Sequence, residues 1–388
     1  MPQYTVAIRP CLARSGASAR GPTSWGAVKI WSLMKIEKIT PFLVDRCLLV
    51  RVYTDAGIVG TGEAGLWAHH NLVYEAINQL SEYYVGKDAS TIEHHFQTVS
   101  RDTHFQGAVL SAAMSSIDIA LWDILGKSLG KPVYQLLGGK LRDKVKVFAS
   151  VGGPTLDERA KQAAEFVQQG YVSLRTIPFF DGWEQRPPTQ AITDAVEIVK
   201  AIREAVGYGI DLGVEVHRNF SKAEIVVFGN AVLPFRLLYI EDPLAPESTD
   251  SLRYVAANIN VPIAAGERSY NLFQFKEIID TGAVALVRPD LSLAGGITQV
   301  KKIAAVAESA FVGIFPHLMG SPINMATYVQ VDAAIPNYFL QEAYPVADLV
   351  VPDRPGIGVE IREEKLAKFP YRPHTIGGWF KEDGSVAH

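Results

Sequence analysis

The chain predicts an α/β fold: a (β/α)7β TIM-like barrel with an α+β capping domain built from the N-terminal region and the C-terminal tail. Three observations carry this. After Gly138-Gly139, eight short apolar runs alternate with helical stretches over about 200 residues. Ahead of that point, two or three strands are followed by helices without alternation. Glu215, Glu241 and Glu267 each end an apolar run, at equal intervals of 26 residues, the period of one βα unit.

In chain order, residues 1–33 stand apart. They hold Arg9, Arg14 and Arg20 and no Asp or Glu, the first acid being Glu37. Two readings stay open: a segment of transit-peptide composition, or a disordered or non-native extension ahead of a start at Met34. Residues 34–142 form the capping module. Phe42–Tyr53 reads as one strand, Asp55-Ala-Gly57 as a turn and Gly60-Thr-Gly-Glu63 as its return. Helices are expected over 74–85, 90–100 and Val109–Leu129, the last stopped by Gly130-Lys-Pro132.

Residues 143–350 form the barrel. Its expected strands are Lys144–Val151, Tyr171–Pro178, Ile210–His217, Leu237–Glu241, Val261–Glu267, Ala285–Leu291, Phe311–His317 and Tyr338–Glu342. The helix after the first opens on a capping box, Thr155-Leu-Asp-Glu158, and stops at Gly170. Helices at 190–206 and 296–309 have the same apolar spacing. Residues 351–388, rich in Pro and Gly, are expected to pack back on the first module.

Composition narrows the function. With 48% hydrophobic residues, 20% charged and a net charge of −4, the chain reads as a globular enzyme. No basic stripe points to nucleic acid, and no apolar run is expected to approach the length of a membrane span. Two cysteines, Cys11 and Cys47, give neither a disulfide framework nor metal-ligand spacing, so a cytoplasmic location is expected.

A parallel barrel opens all its C-terminal strand ends onto one face. Three successive strands then deliver Glu215, Glu241 and Glu267 to one small volume. Their repulsion demands a neutraliser, and an all-oxygen set suits Mg²⁺. Glu215 and His217 are two apart on one strand and should point the same way, into the mouth. Arg288-Pro-Asp290 and Pro316-His317 end the next two strands after Glu267. Asp290 would hold one nitrogen of His317 and leave the other as a general base.

Four further groups carry alternatives. Glu342 either hydrogen-bonds substrate or is a rim acid. Arg175 holds an anionic substrate group or salt-bridges the acidic cluster. Trp67 and His69, with His70, Phe105 and Gln106, shape a substrate pocket or serve packing. Arg288 is read with Asp290 as a mouth residue that meets substrate.

From Met34 onward the chain resembles the enolase superfamily, in its mandelate racemase subgroup, and there the acid-sugar dehydratases of the galactonate dehydratase type. The resemblance rests on the three spaced acids, Ile240-Glu-Asp-Pro243, Gly266-Glu-Arg268, Pro289-Asp-Leu-Ser-Leu-Ala-Gly-Gly296, Pro316-His317, Gln341-Glu342 and Asp383-Gly-Ser-Val386. It implies Mg²⁺ held by Glu215, Glu241 and Glu267, and His317 with Asp290 as the base at the carbon next to a carboxylate. It implies His217 as the acid protonating the departing 3-hydroxyl, and Glu342 as a hydrogen-bond donor to the intermediate. The implied partners are a small-molecule acid sugar and further copies of the chain, from dimer to octamer.

Two features depart from the subgroup. Its first metal ligand is usually Asp, and here it is Glu215. Many members carry a lysine base on the second strand, where this chain has Leu174-Arg-Thr-Ile177. A missing second base favours dehydration over racemisation. Epimerisation with His217 as second base, and a catalytically idle relative with a binding role, are the alternatives.

Overall fold

A computed structural model describes residues 34–102, 104–343, 349–374 and 380–386. The expectations for residues 1–33, Cys11 included, lie outside the described residues.

Ile36–Val44 (β1), Cys47–Thr54 (β2) and Val59–Ala64 (β3) form an antiparallel sheet in that order. The single strand expected over Phe42–Tyr53 is instead the end of β1, a tight turn and β2. Val44 pairs with Cys47, and Asp45 takes φ +49° to close the turn. Asp tolerates that left-handed conformation, but Asp-Arg lacks the glycine that marks such hairpins in a sequence.

Four helices follow: His70–Tyr84 (α1), Ile92–Asp102 (α2), Ala108–Leu129 (α3) and Val133–Leu136 (α4). The sheet lies directly on α3. A Cβ on Gly62 would come 2.0 Å from the Ser116 carbonyl oxygen, and one on Gly60 2.1 Å from that of Ala120. Only glycine permits that approach. α3 also corrects the composition reading, because its 22 residues are long and apolar enough to cross a membrane. Most of the helix is buried within the protein, including Asp118 and Asp123, as in the core helix of a globular domain.

The expected first barrel strand divides in two. Lys144–Val145 (β4) pairs antiparallel with a late strand, and only Ala149–Val151 (β5) enters the barrel. Then come Leu156–Gln168 (α5), Ser173–Thr176 (β6), Pro188–Val206 (α6), Asp211–Glu215 (β7) and Lys222–Ala231 (α7). Tyr239–Glu241 (β8), Thr249–Asn258 (α8), Ile263–Ala265 (β9) and Leu272–Asp280 (α9) continue the alternation. Leu286–Val287 (β10), Gly296–Ser309 (α10), Gly313–Ile314 (β11) and Pro322–Ala334 (α11) complete it. Strands β5 to β11 lie parallel and in sequence order.

The eighth expected strand, Tyr338–Glu342, closes the cylinder through two parallel bridges, Ile314 with Tyr338 and Val147 with Gln341. Phe339 donates its N–H to the Ile314 carbonyl at 2.9 Å, and Gln341 donates to Lys146 at 3.0 Å. This short closure leaves β5 and β11 without a free edge.

Inside the cylinder Phe148, Tyr239, Ala264, Leu286, Phe315 and Leu340 fill the core. The opposite strand faces, with Leu212, Val214, Ile240 and Val287, pack on the helices through Ile198, Phe228, Val255 and Phe275. Burying each such side chain contributes about 1.5–3 kcal/mol.

Leu349–Val350 (β12) pairs with β4, and Glu363–Leu366 (α12) follows. The tail meets the capping module where Arg51 pairs with Glu363 at 3.2 Å and Ile357 donates to Asp123 at 2.9 Å. Its last described piece lies elsewhere. The Phe380 carbonyl accepts from Gln185, between β6 and α6, at 2.9 Å.

Candidate active site

The site is built on the aromatic top of the barrel core. Gly213 has no side chain because the Tyr239 ring passes over it, and a Cβ there would lie 2.3 Å from Tyr239 Cζ. Above this layer two guanidinium groups lie flat on rings, Arg175 4.6 Å from the Phe148 centroid and Arg288 4.1 Å from that of Phe315. Stacking removes their hydrophobic faces from water and turns their N–H edges toward acids.

Glu215 ends β7 and Glu241 ends β8, paired in register. Glu267 follows β9 after Gly266, whose φ of +122° turns the chain and whose Cβ would come 2.8 Å from the Phe275 ring. One carboxylate oxygen from each of Glu215, Glu241 and Glu267 lies within 4.8 Å of the others. The equal spacing thus brings three strand-end acids to one place.

Fixed cations surround them. Arg175 Nη1 stands 3.0 Å from Glu215 and 3.2 Å from Glu241, and its Nη2 stands 2.9 Å from Glu342. Arg288 reaches Glu241 at 2.8 Å and Glu342 at 2.6 Å. Arg218 meets Glu267 at 2.6 Å and also pairs with Asp242. Acids remain in surplus: Glu215, Glu241, Asp242, Glu267, Asp290 and Glu342 face Arg175, Arg218 and Arg288. Burial, only partly offset by Arg288, pushes Glu241 up to about 8, and burial together with Glu267 does the same to Asp242. Buried at Glu215 and Glu241 and half-buried at Glu267, mutually close, all-oxygen and negative in sum, the donor set of these three acids fits a hard divalent cation.

His317 follows β11, and Asp290 follows β10. His317 Nδ1 lies 2.8 Å from Asp290 Oδ2, and its Nε2 lies 3.7 Å from Glu267. Burial opposes charge on the imidazole, but Glu267, Asp290 and Glu342 outweigh it and push His317 up to about 10. Asp290 is itself fixed: its other oxygen accepts from Ser292 N at 2.9 Å, Ser292 Oγ at 2.6 Å and Tyr328 OH at 3.1 Å.

Three sequence expectations are corrected, and Arg175 falls to one of its two readings. His217 does not share a strand face with Glu215, because β7 ends at Glu215 and His217 sits in a turn at φ +48°. It is exposed at the rim, its Nε2 accepting from Arg218 at 2.9 Å; burial of the ring edge and Arg218 lower its pKa. Glu342 cannot donate a hydrogen bond: burial favours the acid form, but Arg175, Arg288 and His317 pull it down to about 2. It is a carboxylate that accepts from Leu318 N at 3.1 Å. Arg288, read as a mouth residue, is instead wholly buried, paired with Glu241 and Glu342. Arg175 holds the acidic cluster, which is the second of its two readings.

Trp67 and His69 lie on the loop from β3 to α1, both exposed, with Trp67 4.3 Å from the His374 ring. That loop starts at the dyad, since Gly65 donates to the Ser292 carbonyl at 2.8 Å. Arg218 and Asp242 escaped the sequence reading. Their signal is local: like His217 they are non-glycine residues at positive φ, +65° and +42°. Such backbone strain gathers at functional sites but leaves no mark in composition.

Comparison with known proteins agrees with this geometry. Residues 39–138 match the mandelate racemase / muconate lactonizing enzyme N-terminal domain, and residues 158–365 match the family described as enolase C-terminal domain-like. The chain is 35% identical over 384 residues to a D-galactonate dehydratase of Xanthomonas euvesicatoria pv. vesicatoria, covering 91% of this chain and 100% of the relative. A member of the enolase superfamily from Salmonella Typhimurium superposes with TM-score 0.83 at 30% identity, over 87% of this chain and 99% of that one. An enolase from Pantoea ananatis with bound D-gluconate and Mg superposes with TM-score 0.83 at 27% identity, over 87% and 95%. With its barrel, its capping module and its strand-end acids, the chain belongs to the enolase superfamily, in the mandelate racemase / muconate lactonizing enzyme branch.

Proposed function

We propose that this enzyme dehydrates an acid sugar, an aldonate such as galactonate, gluconate or mannonate, to the 2-keto-3-deoxy acid. It is a carbon–oxygen lyase of the hydro-lyase class. The observation that carries the reading is the Asp290–His317 dyad set 3.7 Å from the acid cluster.

Glu215, Glu241 and Glu267 are the residues that would hold Mg²⁺. When bound, the ion supplies fixed positive charge to the substrate carboxylate as that group gains negative charge. The chain's own groups do the rest. His317, once its ring is neutral, takes at Nε2 the proton from the carbon next to the carboxylate, and Asp290 holds Nδ1–H and steadies the ring as it becomes charged. The electron pair left behind forms the C2–C3 double bond as the C3–O bond breaks, and the hydroxyl leaves as water once protonated. The resulting enol becomes the 2-keto acid by taking a proton at C3.

We assign that protonation to His217. Its lowered pKa makes the charged ring a strong acid, and its exposure lets solvent reload it. Arg175 and Arg288 keep Glu342 ionised and hold Glu342 and Glu241 in place. The second barrel strand offers Arg175 where a second base would stand, which supports one-base elimination over racemisation. A cytoplasmic homo-oligomer, dimer to octamer, is part of this reading, and exposed Phe273 and Phe311 support subunit contact.

The test is incubation of the purified protein with a panel of aldonates and Mg²⁺, scoring 2-keto acid. Formation from at least one aldonate, abolished by chelator and restored by Mg²⁺, is expected. Silence across the panel overturns the proposal.

A further inference from the structure

Two buried acids of the capping module take no part in the chemistry above. Glu63 lies at the end of β3 and is 1% exposed; Asp118 lies in mid-α3 and is 4% exposed. Among the described residues neither has a cationic partner. Each instead reaches across to the N-terminus of a barrel helix.

Glu63 accepts from Ser321 N at 2.7 Å, Ser321 Oγ at 2.6 Å and Asn324 N at 3.1 Å. Ser321 is the residue that caps α11, and Asn324 is in its first turn. A helix start leaves such N–H groups without partners inside the helix. Normally a residue of the helix itself returns to fill the cap amide. Here the returning carboxylate comes from another module, 258 residues away in the chain.

Asp118 does the same for α10. It accepts from Thr298 N at 3.0 Å and from Thr298 Oγ1, and its charge is also held by the Ile297 N–H. α10 begins on Gly295-Gly296, which supply no capping side chain of their own. A Cβ on Gly296 would lie 2.4 Å from Asp118 Oδ2, so the glycine makes room for the acid.

The two helices are not arbitrary. α10 starts shortly after Asp290, and α11 starts shortly after His317. Both linking segments are short, and the one from Asp290 to α10 is buried: Ser292 Oγ binds Asp290, while Tyr328 of α11 donates its O–H to the same carboxylate.

We propose that Glu63 and Asp118 are positioning residues for the Asp290–His317 dyad, each fixing the start of the helix that follows one of its members. The capping module then does more than cover the mouth. It sets the register of the base against the cluster of Glu215, Glu241 and Glu267. This rests on the reading of the dyad as the base, and the test separates the two.

The experiment compares Glu63→Gln, Asp118→Asn and Asp123→Asn. Asp123 is the control, a buried acid of the same helix that binds Thr61 N at 2.9 Å and Ile357 N at 2.9 Å, away from the dyad. Glu63→Gln and Asp118→Asn should lower kcat on the order of tenfold to a hundredfold, the effect of ångström-scale misplacement, with KM changed less than about twofold. Asp123→Asn should lose similar thermal stability and keep its kcat. Glu63→Asp, which retains both oxygens, should recover part of the rate. If kcat falls in step with stability in all three variants, or holds in the first two, the positioning role is overturned.

A second readout needs no substrate. Hydrogen exchange of the 313–320 and 288–293 segments should quicken in Glu63→Gln and Asp118→Asn respectively, and stay unchanged in Asp123→Asn. Unchanged exchange in both of the first two overturns the proposal even if no aldonate is turned over. Quickened exchange without turnover upholds the positioning and sinks the dehydratase reading alone.

Discussion

His317 Nδ1 and Asp290 Oδ2 lie 2.8 Å apart, and the second oxygen of that carboxylate is already taken by Ser292 and Tyr328. Asp290 therefore has no freedom to swing toward solvent, and the imidazole it holds is pinned through Nδ1–H, with Nε2 turned to the acid cluster.

From this follows the first prediction. His317→Asn should lower kcat by about 10²–10⁴, the usual worth of a positioned base. Asp290→Asn should cost less, on the order of a hundredfold, because the imidazole survives with its orientation loosened. Both should bind Mg²⁺ with wild-type affinity by calorimetry. A His317→Asn variant that still forms 2-keto acid at the parent rate would remove the base from the mechanism.

Much of this was legible in the sequence, and the limits are physical. Strand-end acids at one βα period read directly because a parallel barrel repeats, so Glu215, Glu241 and Glu267 converge from spacing alone. The pairing of Asp290 with His317 followed from adjacent strands. His217 did not, because the alternation rule holds only while the strand lasts, and β7 stops two residues earlier. Arg288 read as a mouth residue, and Arg175 as either a substrate holder or a salt-bridge partner, since a sequence shows charge and not depth. Their stacking on Phe148 and Phe315 is a contact between separate strands. Glu63 looked like the end of a hairpin, as nothing local announces a partner 258 residues on.

Arg288 gives a prediction about stability. It is buried between Glu241 and Glu342, at 2.8 and 2.6 Å. Arg288→Met leaves those carboxylates short of a countercharge and should cost about 3–5 kcal/mol by urea denaturation of the metal-free protein. Adding Glu241→Gln should recover a good part of that loss, because the deserted charge is then gone too. Additive losses in the double variant would show that the cost comes from packing on Phe315 instead.

Gly266 sets where Glu267 points. At φ +122°, with Phe275 2.8 Å from any added Cβ, alanine must shift the turn. Gly266→Ala should lower stability by about 1–3 kcal/mol. It should also weaken Mg²⁺ binding by about tenfold or more, since one of three ligands is displaced. Calorimetric titration decides it, and unchanged affinity would mean that Glu267 is not a ligand.

The buried capping acids make stability depend on pH with a definite sign. Burial, against the hydrogen bonds of Ser321 and Asn324, pushes Glu63 up from 4.5 to about 7; burial, against those of Thr298, pushes Asp118 from 3.8 to about 7. The folded state thus holds these protons more tightly than the unfolded chain does. The stability this contributes is fully present below the unfolded values and is lost as pH rises through about 7. Glu63→Gln and Asp118→Asn cannot ionise, so they lack this loss. Relative to wild type, each variant should gain stability between about pH 5 and about pH 8, by on the order of 2–3 kcal/mol at most. Urea curves across that range supply the measurement. Parallel pH profiles for wild type and variants would mean that the acids stay ionised throughout, held by the helix termini they cap.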